Sequence, residues 1–422
     1  MPFEEKKIEL DYRTSLFYGY LVRKARKAAE VSINFIADIT SIHRSHLCKI
    51  ERGITMPSAV LKEMIEEILE VHIDVSTESI NETKELLKKY LRAWAICDLV
   101  AMNQTISDLI EQSEKYEFSF GLPYYDLMLI LHSLTTESVS CDYAAIIKEL
   151  EELQPVLNDE CKILLLDAKA LYMLDCGDIN QGVSIFENII QNRFDFMNSE
   201  LLNAFVYSHI VLSYLMMGMS DEIFGLLEIV EHELVKLLYF ERIVMIETVI
   251  ANCYATTRNF QKSIELNFRI LDYFERSNKK DKLDMIHGNL CYCYLLMGKY
   301  NDALFELSQI KNYENSGACL FYYEVYAYWQ LEQLEIAKDK IEKNIKIENN
   351  DEESILMLNI MKLAICGNYK DALKLCDSFK DTVARRYNKS SLIFGYNLAI
   401  NISEKVKDYE TKSKFLELLN KQ

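Results

Sequence analysis

Glycine and proline are scarce, with 12 and 4 copies in 422 residues. So few turn-forming residues exclude a many-stranded protein and leave a chain built mostly of helix. No run of about 18 uncharged apolar residues occurs, which excludes a simple membrane-spanning helix. The first residues, from Met1 and Pro2 to Lys6 and Lys7, lack an apolar export segment, so a cytoplasmic location is expected. The cysteines, 11 in all, contain no CxxC pair. The nearest two, Cys291 and Cys293, would point to different faces of a helix. Neither a disulfide framework nor a zinc site is expected, and the thiols read as small buried hydrophobes. Gly-rich phosphate loops, His-Glu-x-x-His and Gly-x-Ser-x-Gly are missing too, and the histidines stand singly. No metal, no cofactor and no enzymatic activity are therefore expected.

What is present is apolar bulk and an uneven charge. Half of the residues are hydrophobic, enough to build large cores and to exclude disorder over most of the chain. The length suggests two or three domains. The formal net charge is −18, which by itself argues against nucleic acid. Between Arg13 and Lys62, however, nine Lys and Arg face three acids, a local +6 on an otherwise acidic chain.

That basic segment reads as short helices. Val22, Ala25, Ala29 and Val31 form the stripe of the first, Ser32 caps a second, and a third runs from about His43 to Glu51. Gly53 stops the third, and Pro57-Ser58 opens the next. Arg23, Arg26, Ser32, Ile36-Ala37, Ile42, Ser45, Leu47, Lys49 to Gly53 and Pro57-Ser58 together resemble a Cro/repressor-type helix-turn-helix domain. The resemblance implies an Arg26–Glu51 pair that holds the recognition helix. In such domains that helix enters the major groove with its N-terminal residues at base edges. The DNA-contacting candidates are then His43, Arg44, Ser45 and Lys49, with Arg52 and the helix start near Ser32 on phosphates. Ile33 stands where the family commonly has Gln, and Ser41 where it commonly has Gly in the turn.

Beyond a polar stretch at 74–82, read as a linker, the chain repeats itself. Gly298-Lys299-Tyr300-Asn301-Asp302-Ala303 recurs as Gly367-Asn368-Tyr369-Lys370-Asp371-Ala372, with weaker copies centred on Ile179, Met219, Phe260, Leu334 and Tyr409. The spacings of 40, 41, 40, 34, 35 and 40 resemble tetratricopeptide repeats, stacked helix pairs that cannot bury their apolar faces alone. Two degenerate pairs are expected at about 83–118 and 122–154 and a terminal pair at 405–419, for eight or nine repeats in all. The expected fold is all-α: a helix-turn-helix domain over 1–73, then a right-handed tetratricopeptide-repeat superhelix over 83–422. The resemblance puts the first helix of each pair on a concave, peptide-binding face. Its inward positions would be Asp167, Tyr207, Ser208, Asn252, Asn289, Tyr292, Tyr322, Tyr323, Tyr326, Trp329, Asn397 and Asn401. Amides suit an extended peptide because each can donate to a carbonyl and accept from an N–H.

A DNA-reading headpiece on a peptide-binding array is similar to the RRNPP group of intracellular receptors for secreted signalling peptides. The resemblance implies a homodimeric transcription regulator that binds double-stranded DNA and is switched by a short peptide, without membrane attachment. The alternative is a helical-repeat scaffold that regulates a partner protein such as a response regulator.

Overall fold

The computed structural model describes residues 3–136, 142–192, 199–217, 220–277, 279–311, 319–344, 352–383 and 389–420. Among them the protein is all-α; the sole β-type pairing is an isolated bridge between Asp74 and Ser119. No helix among the described residues is long and apolar enough to cross a membrane.

The chain divides into two compact units, Met1–His209 and Ile210–Gln422. The first opens with α1 (Phe3–Ala28), α2 (Ile33–Thr40), α3 (Arg44–Glu51) and α4 (Ala59–Leu69). Then come α5 (Thr77–Ala95), α6 (Leu99–Glu111), the short α7 (Ser113–Glu117), α8 (Leu122–Thr136), α9 (Tyr143–Glu152), α10 (Asp159–Asp175) and α11 (Ile179–Gln191). The division falls inside α12 (Glu200–Met217). The second unit continues with α13 (Ser220–Lys236), α14 (Phe240–Thr256), α15 (Phe260–Arg276), α16 (Lys280–Leu296), α17 (Tyr300–Gln309) and α18 (Cys319–Gln330). It ends with α19 (Leu334–Asn344), α20 (Glu352–Ile365), α21 (Tyr369–Val383), α22 (Lys389–Val406) and α23 (Tyr409–Asn420).

From α5 onward the described helices succeed one another as nine pairs, with α7 the extra turn. The two members of a pair differ in kind. The second helix α15 buries one stripe, Ile264, Asn267, Ile270 and Phe274, and leaves the other side to water. The first helix α20 buries Met357, Leu358, Ile360, Met361, Ala364 and Ile365, because it is covered on more than one side.

One type of turn joins the helices in seven of the nine pairs. Two residues before the second helix, one residue takes left-handed backbone: Cys97, Gly177, Arg258, Gly298, Glu332, Gly367 and Lys407, with φ between 57° and 83°. At Gly298 two bonds close it, Gly298 N–H to Leu295 O at 3.1 Å and Lys299 N–H to Tyr294 O at 2.9 Å. Six of the repeat centres seen in the sequence are the first residues of α11, α15, α17, α19, α21 and α23; Met219 lies outside the described residues.

Two boundaries differ from expectation. Residues 405–419 are not a terminal pair: α23 is the second helix of a pair whose first, α22, starts at Lys389. The stretch 74–82 is helical from Thr77, and Asp74 is held by main-chain bonds, accepting from Phe120 N–H and donating to Phe118 O, each at 3.0 Å. Polar composition marked the stretch as a loop, but Ser79 and Thr83 donate to main-chain carbonyls and are buried.

The turn predicts opposite effects at two equivalent positions. An added Cβ at Gly367 would meet nothing within 4 Å, so Gly367→Ala brings backbone strain alone, about 1 kcal/mol. Lys407→Gly relieves that strain against the flexibility of glycine and is expected to be neutral to about 1 kcal/mol stabilising. Urea unfolding followed by circular dichroism reads both.

Candidate functional site

The headpiece is assembled by close approach. A Cβ on Gly19 of α1 would stand 2.1 Å from the Ile50 carbonyl oxygen, so only glycine lets the end of α3 lie this near. Gly53, with φ of 67°, turns the chain away at the same place. Arg26 of α1 then grips α3: its Nε donates to Glu51 Oε1 at 2.5 Å, its Nη2 to Oε2 at 3.2 Å and its Nη1 to Val31 O at 3.0 Å. Glu51 is buried, and the bond to it raises the already high Arg26 pKa. A fork of this geometry fixes orientation as well as distance.

With α3 held by its inner face, its outer face is left to solvent. His43, Arg44, Ser45, Lys49 and Arg52 are all exposed. His43 is also the N-cap, its Nδ1 accepting from Ser45 N–H at 3.2 Å. Ser32 caps α2 by accepting from Phe35 N–H at 3.1 Å, which leaves the hydroxyl partly committed. Ser41, where glycine is usual, does take the left-handed conformation, with φ of 55°. Phe35 and Ile39, one turn apart on α2, are 52 % and 48 % exposed.

Part of the basic charge faces the body of the first unit and not solvent. On α1, Tyr20 donates to Glu149 Oε2 at 2.7 Å, Lys24 Nζ lies 3.3 Å from the same oxygen, and Arg23 pairs with Glu152. Phe17 stacks on Phe120, ring centres 4.6 Å apart. Next to this contact Asp126 of α8 is buried, and burial, opposed by the Lys24 charge and reinforced by Glu149 and Glu117, pushes its carboxyl up to about 7. Glu149, Glu152 and Asp126 carry no motif and lie about a hundred residues or more from their partners in sequence, so no local signal reveals them.

The inward positions of the array divide into engaged and available. In the first unit Asp167 is fully buried, its Oδ2 2.8 Å from His209 Nδ1, and Tyr207 is buried as well. In the second unit α22 lies against the inner face of its neighbours. Phe394 packs on Tyr322, Tyr323 and Tyr326 with ring centres 5.3, 5.0 and 5.0 Å away. Tyr292 donates to Ser390 O at 3.2 Å, and Asn401 Nδ2 donates to Tyr326 Oη. Asp167, Tyr207, Tyr292, Tyr322 and Tyr326 are thus core, a correction to the expectation that they line an open face. Repeat register identifies an inward side chain but not what fills the space in front of it. Asn252, Asn289 and Asn397 remain partly exposed, and Asn289 Nδ2 is buried with no partner. Asn397 and Asn401 border a cavity of about 280 Å³.

Among the described residues no cluster of three or more His, Cys, Asp or Glu could hold a metal ion. Burial pushes the Cys293 and Cys376 thiols up to about 11 and about 12, away from reactivity.

No protein-family model and no curated protein sequence matches this chain. Solved structures do. A Rap protein complexed with competence and sporulation factor aligns with a TM-score of 0.61 at 13 % identity, over 82 % of this chain and 96 % of its own. NprR in complex with its cognate peptide NprX aligns with a TM-score of 0.56 at 17 % identity, over 81 % and 97 %. Aspartyl phosphate phosphatase F from Bacillus subtilis aligns with a TM-score of 0.54 at 13 % identity, over 83 % and 95 %. At these identities the shared property is the helical-repeat fold.

The Asp126 carboxyl predicts a pH dependence. Its folded-state pKa is about 7 against an ordinary 3.8, so between these values the folded chain holds a proton that the unfolded chain has released. Stability from this group is therefore complete below about pH 4 and is lost as pH rises toward 7. Asp126→Asn is expected to flatten that slope and to stabilise the first unit at pH 8 by about 1–3 kcal/mol. Thermal melts of both proteins from pH 4 to 8 measure the difference.

Proposed function

We propose that the protein is a cytoplasmic transcription regulator that binds operator DNA as a homodimer and is switched by a short signalling peptide held on the inner face of its repeats. The observation that carries this reading is the exposed edge of α3, with His43, Arg44, Ser45 and Lys49 outward on a helix locked from behind by Arg26 and Glu51. A helix presented in this way fits the major groove. Arg44 suits bidentate contact with guanine, Lys49 a base or phosphate, and Arg52 a phosphate. One headpiece covers modest area, so specificity calls for two copies on a two-half-site operator. The peptide part is supported by the amides on first helices, above all the unpartnered Asn289 Nδ2, since a buried donor without an acceptor is costly unless a ligand supplies one. The fold shared with structures solved in complex with a peptide and a signalling factor supports it too.

A second reading, a scaffold that binds a partner protein such as a response regulator, draws on the exposed Phe35 and Ile39. Apolar side chains one turn apart suit a protein surface better than a phosphate backbone.

Selection of genomic fragments with the purified protein, followed by fluorescence anisotropy, tests the main reading. Arg44→Ala is expected to weaken the selected site by about 1–3 kcal/mol with thermal stability unchanged; equal affinity would remove α3 from the DNA. Asn289→Ala is expected to keep DNA affinity and to lose the response to a synthetic peptide encoded beside the gene. Retention of a protein in place of any duplex would favour the scaffold.

A further inference from the structure

The cavity beside α22 is lined by uncharged groups. Its volume of about 280 Å³ is at or below the low end for ligand pockets, room for one large side chain and not for a whole oligopeptide. Tyr300, Tyr326 and Phe394 supply ring faces and edges. Asn397 Nδ2 donates to Ile393 O at 2.7 Å and Asn401 Nδ2 donates to Tyr326 Oη, so each amide has one N–H engaged and keeps its oxygen as an acceptor beside a second N–H. The fourth wall is the carboxyl end of α16, Leu295 to Gly298. There the turn uses the carbonyls of Tyr294 and Leu295, and those of Leu296 and Met297 stand at the negative pole of the helix.

None of the nine lining residues carries a charge. The chain's own nearby cations are turned elsewhere: Lys299 sits 6.0 Å above the Tyr294 ring and Lys405 sits 5.1 Å above the Trp329 ring. Glu404, on the turn of α22 after Asn401, is paired with Lys412. Against the acceptors stand the Tyr300 hydroxyl and the second N–H of each amide, all neutral donors. Rings, amide oxygens and a helix carboxyl end together favour positive charge and disfavour a carboxylate.

We infer that this cavity is a subsite for a cationic group, the side chain of a Lys or Arg or the free amino end of the bound peptide. The inference rests on the peptide-receptor reading for its biological ligand, but the chemistry can be tested without a peptide.

The full-length protein is titrated calorimetrically with N-acetyl-arginine amide, N-acetyl-norleucine amide and N-acetyl-glutamate amide. The arginine probe is expected to bind about tenfold tighter than the norleucine probe, with the glutamate probe weakest. Asn401→Asp keeps the shape and adds a negative charge, and is expected to tighten the arginine probe a further severalfold without helping the norleucine probe. Asn397→Leu, which deletes one acceptor, serves as the opposite-sign variant should N401D fail to fold. Equal binding of neutral and cationic probes, no saturable binding, or no change in a folded variant overturns the subsite. If the arginine probe fails while Asn289→Ala still abolishes the peptide response, the subsite alone is wrong. If the probe binds and no peptide alters DNA affinity, the receptor reading falls and the cation site stands.

Discussion

The left-handed residue that follows seven of the nine first helices is the constraint on which the repeat architecture rests. It reverses the chain within a few residues and delivers the next helix antiparallel to the last, closed by main-chain bonds such as Lys299 N–H to Tyr294 O. Because the backbone makes those bonds, side-chain identity there is loosely specified. Gly298 and Gly367 do the work without strain, while Arg258, Glu332 and Lys407 do it at a modest conformational penalty. Once pairs are formed, neither helix can bury its apolar surface within the pair, and stacking follows. Stacking in turn makes first helices such as α20 apolar on several sides.

Charge is divided in the first unit in a way that couples its parts. Three basic residues on one helix, Arg23, Lys24 and Arg26, face carboxylates: the first two hold α1 to α9, the third holds α1 to α3. The same helix therefore carries the attachment to α9 and the attachment to α3, less than one turn apart. The charge that remains outward belongs to α3 and its flanks, Arg44, Lys49 and Arg52, and to Lys27. An overall acidic chain can present a basic edge because charge is distributed unevenly along it, nine Lys and Arg against three acids between Arg13 and Lys62. Long-range attraction to a polyanion depends on that local arrangement and not on the net value.

The inner face of the second unit shows how one side chain can change the meaning of a register. Phe394 fills space between Tyr322, Tyr323 and Tyr326, which converts aromatic positions of a binding surface into core. The amides of Asn252, Asn289, Asn397 and Asn401 stay partly accessible.

The sequence by itself determined the elements whose causes are local. Helix starts at Ile179, Phe260, Tyr300, Leu334, Tyr369 and Tyr409 were legible because a turn and its flanking apolar periods lie within a dozen residues. The start of α2 and the end of α3 were legible because Ser32 is a helix cap and Gly53 a helix stop. The extent of the last pair and the helical start at Thr77 were hidden, since polar composition there imitates a loop. Only the tertiary structure decided that Asp167 meets His209, that Arg23 and Lys24 meet α9, and that α22 covers the tyrosines. The physical reason is range: periodicity along a helix states which way a side chain points, whereas its neighbour there is contributed by residues tens to more than a hundred positions away.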